Sequence, residues 1–314
     1  MIPNTFYYLC TIFTKIDMQS EKVSYKIYVQ IILANVFWGF SFVWTDVILK
    51  SGITPITLVL IRMVLATILL GLWAKYTGNI IKIKRKHLKY FLCLAMCEPF
   101  LYFLCETYGQ TMVSPTVTSV IVATIPLFTP FVGFMILKEK IGWSTVIGII
   151  VSMAGVIAVV FVGSNDFSGQ FTGAVLVFGA VIASLGYAIL VKYIMNIYNA
   201  TTLVFYQNLI GLIYFLPCFL IVDASHVGEM QFTFDAVSSL VQISVFASVI
   251  AFVFYSNAVK VLGIIKSGVF CYLIPVLTAL FAFFVVDEQL KIGQWVGMAA
   301  VISGLFISQI KKSR

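Results

Sequence analysis

The sequence contains few charged residues and few histidines. Only 10% of its 314 residues are Asp, Glu, Lys or Arg, and its two histidines are His87 and His226. The six cysteines form no C-x-x-C pair and have no histidine at ligand spacing. These features argue against a soluble domain, a metal centre and a nucleophile–base enzyme. We therefore predict no enzymatic activity and no cofactor.

Apolar residues dominate the chain instead. They make up 61% of it, and the mean hydropathy is +1.06. A membrane-spanning helix needs about 20 apolar residues. Runs of this kind recur at 28–49, 55–75, 88–108, 113–137, 142–162, 170–192, 201–222, 236–259, 264–286 and 291–310. The sequence therefore predicts an all-α membrane protein with ten transmembrane helices.

The positions of the basic residues predict the orientation. Most of the 20 Lys and Arg residues fall at one end of the spans, and Lys50 and Lys291 are the exceptions at the other end. Basic residues in short loops stay on the cytoplasmic side, so both termini are predicted to be cytoplasmic. The basic residues are dispersed and form no patch, so we expect a lipid bilayer as partner and no nucleic acid.

An internal repeat appears when the chain is shifted by 149 residues. The segment "IPLFT" at 125–129 then aligns with "IPVLT" at 274–278, and Trp38 aligns with Tyr187. Each half holds five predicted spans, and an odd number makes the second copy enter the membrane upside down. The pattern predicts an inverted repeat, which is typical of alternating-access transporters.

The predicted domains follow from this repeat. Residues 1–27 form a cytoplasmic N-terminal segment, in which Met18 is an alternative start. Residues 28–162 and 170–310 form the first and second five-helix repeats. The fifth and tenth spans carry small residues at helical spacing, which predicts close helix packing.

Four stretches of sequence match a known family. "NVFWGFSF" in the first span, "LIRMVLA" in the second, and the long segments beginning "IPLFT" and "IPVLT" resemble the two EamA-type repeats of the drug/metabolite transporter superfamily. The resemblance implies a ten-helix permease of the bacterial inner membrane, often an efflux protein for amino acids, metabolites or drugs. It also implies a central cavity between helices one, three, four, six, eight and nine.

Two glutamates lie inside the third predicted span. Glu98 is eleven residues past His87 and so roughly 16 Å deep, and Glu106 is about 12 Å further along the helix. A charged group facing lipid costs about 3 kcal/mol, so both are expected to face protein or water. We interpret Glu98 as binding a cationic substrate group or the coupling proton. The alternative for either is a structural carboxylate, and Glu106 can be hydrated at the rim.

Further polar and aromatic side chains are candidates for the substrate site. Arg62 needs a partner, which could be Glu106 or a substrate carboxylate, although a structural role is favoured. Gln207 is its counterpart in the second half, where helix bridging is the favoured reading. Amphipathic side chains on the cavity-lining helices can shape a pocket, or they can face lipid. These candidates are Asn35, Trp38, Tyr102, Tyr187, Tyr255, Asn257 and Tyr272.

Prolines mark the candidate hinges. Pro99 directly follows Glu98 and is expected to break the third helix. Pro126 and Pro275 occupy equivalent positions in the fourth and ninth spans, and matched helix breaks indicate where a transporter binds its substrate. Glu139 and Glu288 lie just before helix N-termini, where a carboxylate is stabilised by the helix dipole.

Together these features predict a proton-coupled secondary transporter that exports a small organic solute by alternating access. A passive channel or facilitator is the alternative, although no charge ring or filter-like loop is visible. A scaffold or receptor would need a larger surface outside the membrane.

Overall fold

The computed structural model describes residues 25–128, 142–162 and 167–309. Met18, the rest of 1–24 and Glu139 lie outside the described residues. Ten helices occur within the described part. Numbered in chain order, they are α1 (Tyr25–Lys50), α2 (Pro55–Thr77), α3 (Arg85–Gln110), α4 (Pro115–Phe128), α5 (Trp143–Phe161), α6 (Phe167–Met195), α7 (Ala200–Val222), α8 (Phe234–Leu262), α9 (Lys266–Val286) and α10 (Ile292–Gln309).

The helices confirm the predicted fold class. Eight of those described are long and apolar enough to cross a bilayer, and α4 and α10 are shorter apolar helices. Their bounds follow the predicted spans within a few residues, except that the predicted end of the fourth span at 137 lies outside the described residues. Among the described ends, large differences lie at Arg85, where the basic residues 85–87 join the helix, and at Met195, where the helix continues past Lys192. The chain is a ten-helix, multi-pass membrane protein.

Side-chain caps mark where several of the helices begin. Thr54, Ser114 and Asn199 precede α2, α4 and α7, and each accepts a hydrogen bond from the backbone N–H three residues on, at 3.4, 3.3 and 2.7 Å. Pro55 and Pro115 then occupy the first helical position, where no N–H is needed. These caps allow short loops between neighbouring helices.

Helices α5 and α10 pack antiparallel with two-fold symmetry. Thr145 Oγ1 donates to the carbonyl oxygen of Ser308 at 3.4 Å, and Gln294 Nε2 donates to that of Val159 at 3.2 Å. A shift of 149 residues converts the first bond into the second. The start of α5 therefore meets the end of α10, so the two halves of the chain are inverted relative to each other.

Small residues make this α5–α10 contact possible. Ser152 Oγ donates to the carbonyl oxygen of Val301 at 3.0 Å, and these two residues are themselves related by the 149-residue shift. On either side the backbones of the two helices touch, and an added Cβ would collide with backbone atoms at each of four glycines. These are Gly148, Gly155, Gly297 and Gly304. The predicted close packing of the fifth and tenth spans is confirmed.

The remaining contacts between the halves show the same exchange symmetry. Helix α2 packs against α7, and α4 packs against α9. The packing of α3 on α6 has its counterpart in that of α8 on α1, and α1 on α9 has its counterpart in α6 on α4. The two halves therefore interleave, and the helices that meet in the centre come from both.

Hydrogen bonds join α2 and α7 at both ends. At one end Asp223 accepts bonds from Thr54 Oγ1 and from the backbone N–H and Oγ1 of Thr57, the last two at 3.1 and 2.8 Å. At the other end Asn199 Nδ2 and Thr202 Oγ1 donate to the carbonyl oxygen of Asn79 at 2.8 and 3.4 Å. Hydrogen bonds therefore hold α2 against α7 at both ends, and we call this helix pair the α2–α7 frame.

We predict that Gly148→Ala destabilises the protein by about 1–3 kcal/mol, because the new Cβ meets the backbone of α10. The measurement is the apparent Tm of purified protein in detergent. Gly228→Ala is the matched control, since a Cβ there meets no atom within 4 Å. Equal Tm values for the two variants would contradict the packing described here.

Candidate functional site

Helix α3 is interrupted at its centre. Residues Met96–Leu101 form a π-helical segment in which Glu98 has the extended dihedrals φ −148° and ψ 119°. Pro99 supplies no N–H to the helix, so the predicted break at this residue is confirmed. Helix α8 has a π-helical segment at Ile243–Ala251, and the 149-residue shift places 96–101 within it. Irregular turns of this kind are frequent at functional sites.

A cavity lies between the two halves beside these irregular turns. It encloses about 700 Å³ of empty space, including its mouth. Helices α1, α3, α4, α6, α8 and α9 line it, which agrees with the arrangement that the resemblance implied, and α2 adds Arg62. The lining residues of this central cavity are Trp38, Ser41, Phe42, Arg62, Glu98, Tyr102, Phe103, Glu106, Val122, Ile125, Ser184, Tyr187, Ala188, Phe252, Tyr255, Cys271 and Ile274.

Most of the lining consists of residues related by the repeat. Shifting the first half by 149 residues places five lining residues on five others. The pairs are Trp38 with Tyr187, Phe103 with Phe252, Glu106 with Tyr255, Val122 with Cys271, and Ile125 with Ile274. Equivalent residues of the two halves therefore face each other across the central cavity. This is the place where an alternating-access transporter is expected to bind its substrate.

The charged groups of the central cavity all come from the first half. Arg62, Glu98 and Glu106 are 3%, 7% and 6% exposed, respectively. The 149-residue shift places Gly211, Ala247 and Tyr255 at the corresponding positions, so the counterpart of Arg62 is Gly211, and the prediction of Gln207 was wrong. The two halves therefore build the cavity from equivalent positions, but only the first half supplies charged groups.

Glu98 has no hydrogen-bond donor among the described residues. Its side chain is buried, yet its oxygens are not among the fully enclosed polar atoms and they face the central cavity. Buried polar groups nearly always have a partner, and for this carboxylate the cavity is the side from which water, a proton or a ligand can supply one.

Arg62 is held by the second half. Its Nε donates to Ser248 Oγ at 2.5 Å, and its guanidinium carbon lies 4.0 Å from the centroid of the Phe103 ring. Ser248 belongs to the irregular turn of α8. In the symmetric position, Pro99 of the α3 turn packs against Gly211. The α2–α8 contact at Arg62–Ser248 and the α7–α3 contact at Gly211–Pro99 are therefore equivalent in the repeat. The first is polar and the second is apolar.

Glu106 is the strongest electrostatic partner of Arg62. Glu98 attracts Arg62 less strongly. The hydroxyl of Tyr102, one turn earlier on α3, interacts with the Glu106 carboxylate. Neither glutamate comes within 4 Å of the guanidinium nitrogens in the described structure. The charge of Glu106 therefore offsets that of Arg62 without a direct ion pair. Glu98 is then the carboxylate whose charge no basic side chain of the lining offsets.

A family comparison identifies this arrangement. The model of the EamA-like transporter family matches residues 25–161 and again residues 171–309. The two matches cover most of the chain. The chain belongs to the EamA-like transporter family. The family description makes this EamA-like protein a transporter.

Individual relatives agree with this assignment. A Bacillus subtilis (strain 168) protein named "Uncharacterized transporter YetK" is 28% identical over 68% of this chain and 66% of its own length. A Streptantibioticus cattleyicolor protein named "Probable terminal-alkyne amino-acid exporter" is 24% identical over 88% of this chain and 91% of its own. A solved crystal structure superposes with a TM-score of 0.65 at 13% identity, covering 90% of this chain and 97% of that one. That likeness shows the fold alone.

Seven of the eleven predicted site residues line the central cavity of this EamA-like protein. They are Trp38, Arg62, Glu98, Tyr102, Glu106, Tyr187 and Tyr255. They come from α1, α2, α3, α6 and α8, and the aromatic ones among them surround the two carboxylates. Their role in binding or coupling stays a prediction.

The other four predicted residues lie away from the cavity lining. Asn35 is fully buried and donates to the carbonyl oxygen of Ile31 at 2.7 Å, so its own helix takes up its amide. Gln207 lies behind the wall and accepts a hydrogen bond from Tyr187 at 3.1 Å, which is the bridging arrangement. Asn257 and Tyr272 also lie outside the lining.

The predicted hinge prolines and Glu288 lie in packed positions. Pro126 packs against Gly268, close to the α4–α9 contact, and Pro275 is buried on α9. Glu288 accepts bonds from the backbone N–H and Oγ1 of Thr116 at 3.4 and 2.8 Å. Its carboxylate therefore stabilises the first turn of α4, and not that of the helix that follows it in sequence.

Sequence reasoning missed several lining residues. Phe103 and Phe252 were not singled out, and neither were Ser41 and Ser184. The repeat carried the signal for the first two, because they are related by the 149-residue shift. The serines follow Trp38 by three positions and precede Tyr187 by three, which is one helical turn.

We predict that Ser248→Ala destabilises the protein by about 1–3 kcal/mol, because it leaves the buried Arg62 Nε without its acceptor. Ser267→Ala is the control, since Ser267 is equally buried and its hydroxyl has no partner among the described residues. Thermal unfolding of both variants in detergent is the measurement. A Ser267→Ala loss as large as that of Ser248→Ala would contradict the role given to Ser248.

Proposed function

We propose that this chain is a secondary active transporter that exports a small organic solute by alternating access and couples export to proton entry through Glu98. The observation that carries the proposal is a central cavity between two inverted halves with an unpartnered carboxylate on its wall. We place it in the bacterial inner membrane on its family resemblance, and we place both termini in the cytoplasm on the distribution of its basic residues.

The symmetry of the packing supports alternating access. Two inverted halves can exchange conformations, and the exchange would open a central site first to one side of the membrane and then to the other. The π-helical turns of α3 and α8 are equivalent in the repeat, and each packs against the α2–α7 frame through Arg62–Ser248 or Pro99–Gly211. We expect these turns to change conformation during transport, because the α-helical hydrogen-bond pattern is already interrupted there.

The position of Glu98 supports proton coupling. An ionisable residue inside a membrane protein is expensive to bury and marks an ion or proton pathway by default. Glu98 has no protein donor among the described residues, so a proton or a substrate cation can occupy the same carboxylate in turn. Competition of this kind links the movement of one to the movement of the other.

We predict that Glu98→Gln abolishes substrate-driven proton movement, because the amide cannot exchange a proton. Purified protein is reconstituted into liposomes that contain a pH-sensitive dye, and amines and amino acids are added outside. Wild-type protein should release protons on addition of a substrate, and Glu98→Gln should match protein-free liposomes. Glu229→Gln is the control, because Glu229 is exposed between α7 and α8.

Undiminished proton movement in Glu98→Gln would remove Glu98 from this role. Counterflow in the same liposomes tests the carrier mechanism separately. Unlabelled substrate inside should accelerate uptake of labelled substrate by a carrier, whereas an open channel shows no such acceleration. Folding of each variant is verified by its elution as a single species in size-exclusion chromatography.

A further inference from the structure

The geometry points to the substrate class of the central cavity: an amine that carries one positive charge, N–H donors and an aromatic or similarly apolar body. A zwitterionic amino acid fits this cavity less well. The inference rests on the proposed function in one respect, namely that the central cavity is the substrate site. It is argued from charge, hydrogen-bond polarity and the aromatic wall.

The charge of the lining favours a cation. Its ionisable acid and base side chains are two carboxylates, Glu98 and Glu106, and one guanidinium, Arg62. With all three ionised, the central cavity carries one surplus negative charge. A buried charge requires a counter-charge, which a proton on Glu98 supplies in the absence of ligand. A monocation that replaces this proton keeps the balance, whereas a zwitterion that replaces it leaves the charge unbalanced.

The single guanidinium is already engaged. Arg62 Nε donates to Ser248, its guanidinium carbon lies 4.0 Å from the centroid of the Phe103 ring, and Glu106 is the carboxylate that attracts it more strongly. A ligand carboxylate at Arg62 would have to compete with this attraction, although Glu106 and Arg62 form no direct ion pair in the described structure. The ligand group that the cavity lacks is therefore a cation for Glu98 and not an anion for Arg62.

Three neutral hydroxyl groups of the lining, those of Ser41, Ser184 and Tyr187, present acceptors. Ser41 Oγ donates its proton to the carbonyl oxygen of Trp38, and Ser184 Oγ donates to that of Val181, each at 2.7 Å. Tyr187 donates its hydroxyl proton to Gln207. With these protons committed, the oxygens offer lone pairs to the cavity. An ammonium group with N–H donors matches these lone pairs, and a carboxylate does not.

Aromatic rings surround the same space. Trp38 lies 5.4 Å from Phe252 and 5.0 Å from Tyr255, and Tyr187 lies 6.2 Å from Phe252 in an edge-on arrangement, all between ring centroids. Phe103 continues the wall at 6.4 Å from Phe252. Aromatic faces attract cations and accommodate flat apolar groups. The wall therefore suits both the charge and the body of an arylalkylamine.

The test compares three ligands that differ in one group. Phenethylamine carries the cation, phenylalanine adds a carboxylate, and 2-phenylethanol replaces the ammonium with a hydroxyl. Isothermal titration of the purified full-length protein in detergent gives their affinities. We expect phenethylamine to bind roughly tenfold or more tightly than either analogue, since a hydrogen-bonded charge pair is at stake. Equal or tighter binding of phenylalanine would overturn the inference.

Two substitutions locate the effect. Glu98→Gln should weaken phenethylamine roughly tenfold or more and leave 2-phenylethanol unchanged, and Glu229→Gln should change neither. Glu106→Gln leaves one carboxylate and one guanidinium, so it should lower the preference for phenethylamine over phenylalanine roughly tenfold. A preference that survives Glu106→Gln would contradict the charge balance, even where Glu98→Gln yields no folded protein.

Binding in detergent separates this inference from the proposed function. The preference for phenethylamine holds in the absence of a proton gradient, so it can be present where the liposome assay detects no proton movement. That outcome removes proton coupling and retains the substrate class. Proton movement driven by phenylalanine and not by phenethylamine retains the transporter and removes the substrate class.

Discussion

A carboxylate within the bilayer must face protein or water, and this requirement determines how the two halves of this chain meet. Glu98 and Glu106 lie on α3, inside the membrane-spanning bundle, and both are more than nine-tenths buried. Exposure of either to lipid would cost several kcal/mol. The interleaved halves enclose them in the central cavity instead, where the second half contributes aromatic walls and the serine that holds Arg62.

Both copies of the repeat shape the central cavity, but only the first copy supplies its charged groups. Symmetric contacts such as Ser152–Val301 hold α5 on α10, and paired residues build both sides of the central cavity. At the depth of the carboxylates the halves have diverged, because Ala247 occupies the position equivalent to Glu98. In the proposed mechanism, the symmetric packing allows two conformations of similar free energy. The charged groups of the first half then provide the ligand-binding site between them.

The sequence was sufficient for the fold and for part of the site. Spans are readable because lipid demands long apolar helices, and the 149-residue repeat revealed the inverted halves. The site was harder, because the sequence does not say which face of a helix a polar residue occupies. Asn35 shares a helix face with Trp38, yet its amide bonds to its own helix. Gln207 bridges behind the wall, and Phe252 gave no signal except through its repeat partner.

The central claim is that one cavity, enclosed between inverted halves, opens to each side of the membrane in turn. Cys271 lines this cavity and provides a native probe. In a variant that keeps Cys271 as its only cysteine, a membrane-impermeant thiol reagent is applied separately to each face of reconstituted vesicles. The account predicts labelling of Cys271 from both faces, with each rate altered by an opposing proton gradient. Labelling from only one face under every condition, or from neither, would contradict it.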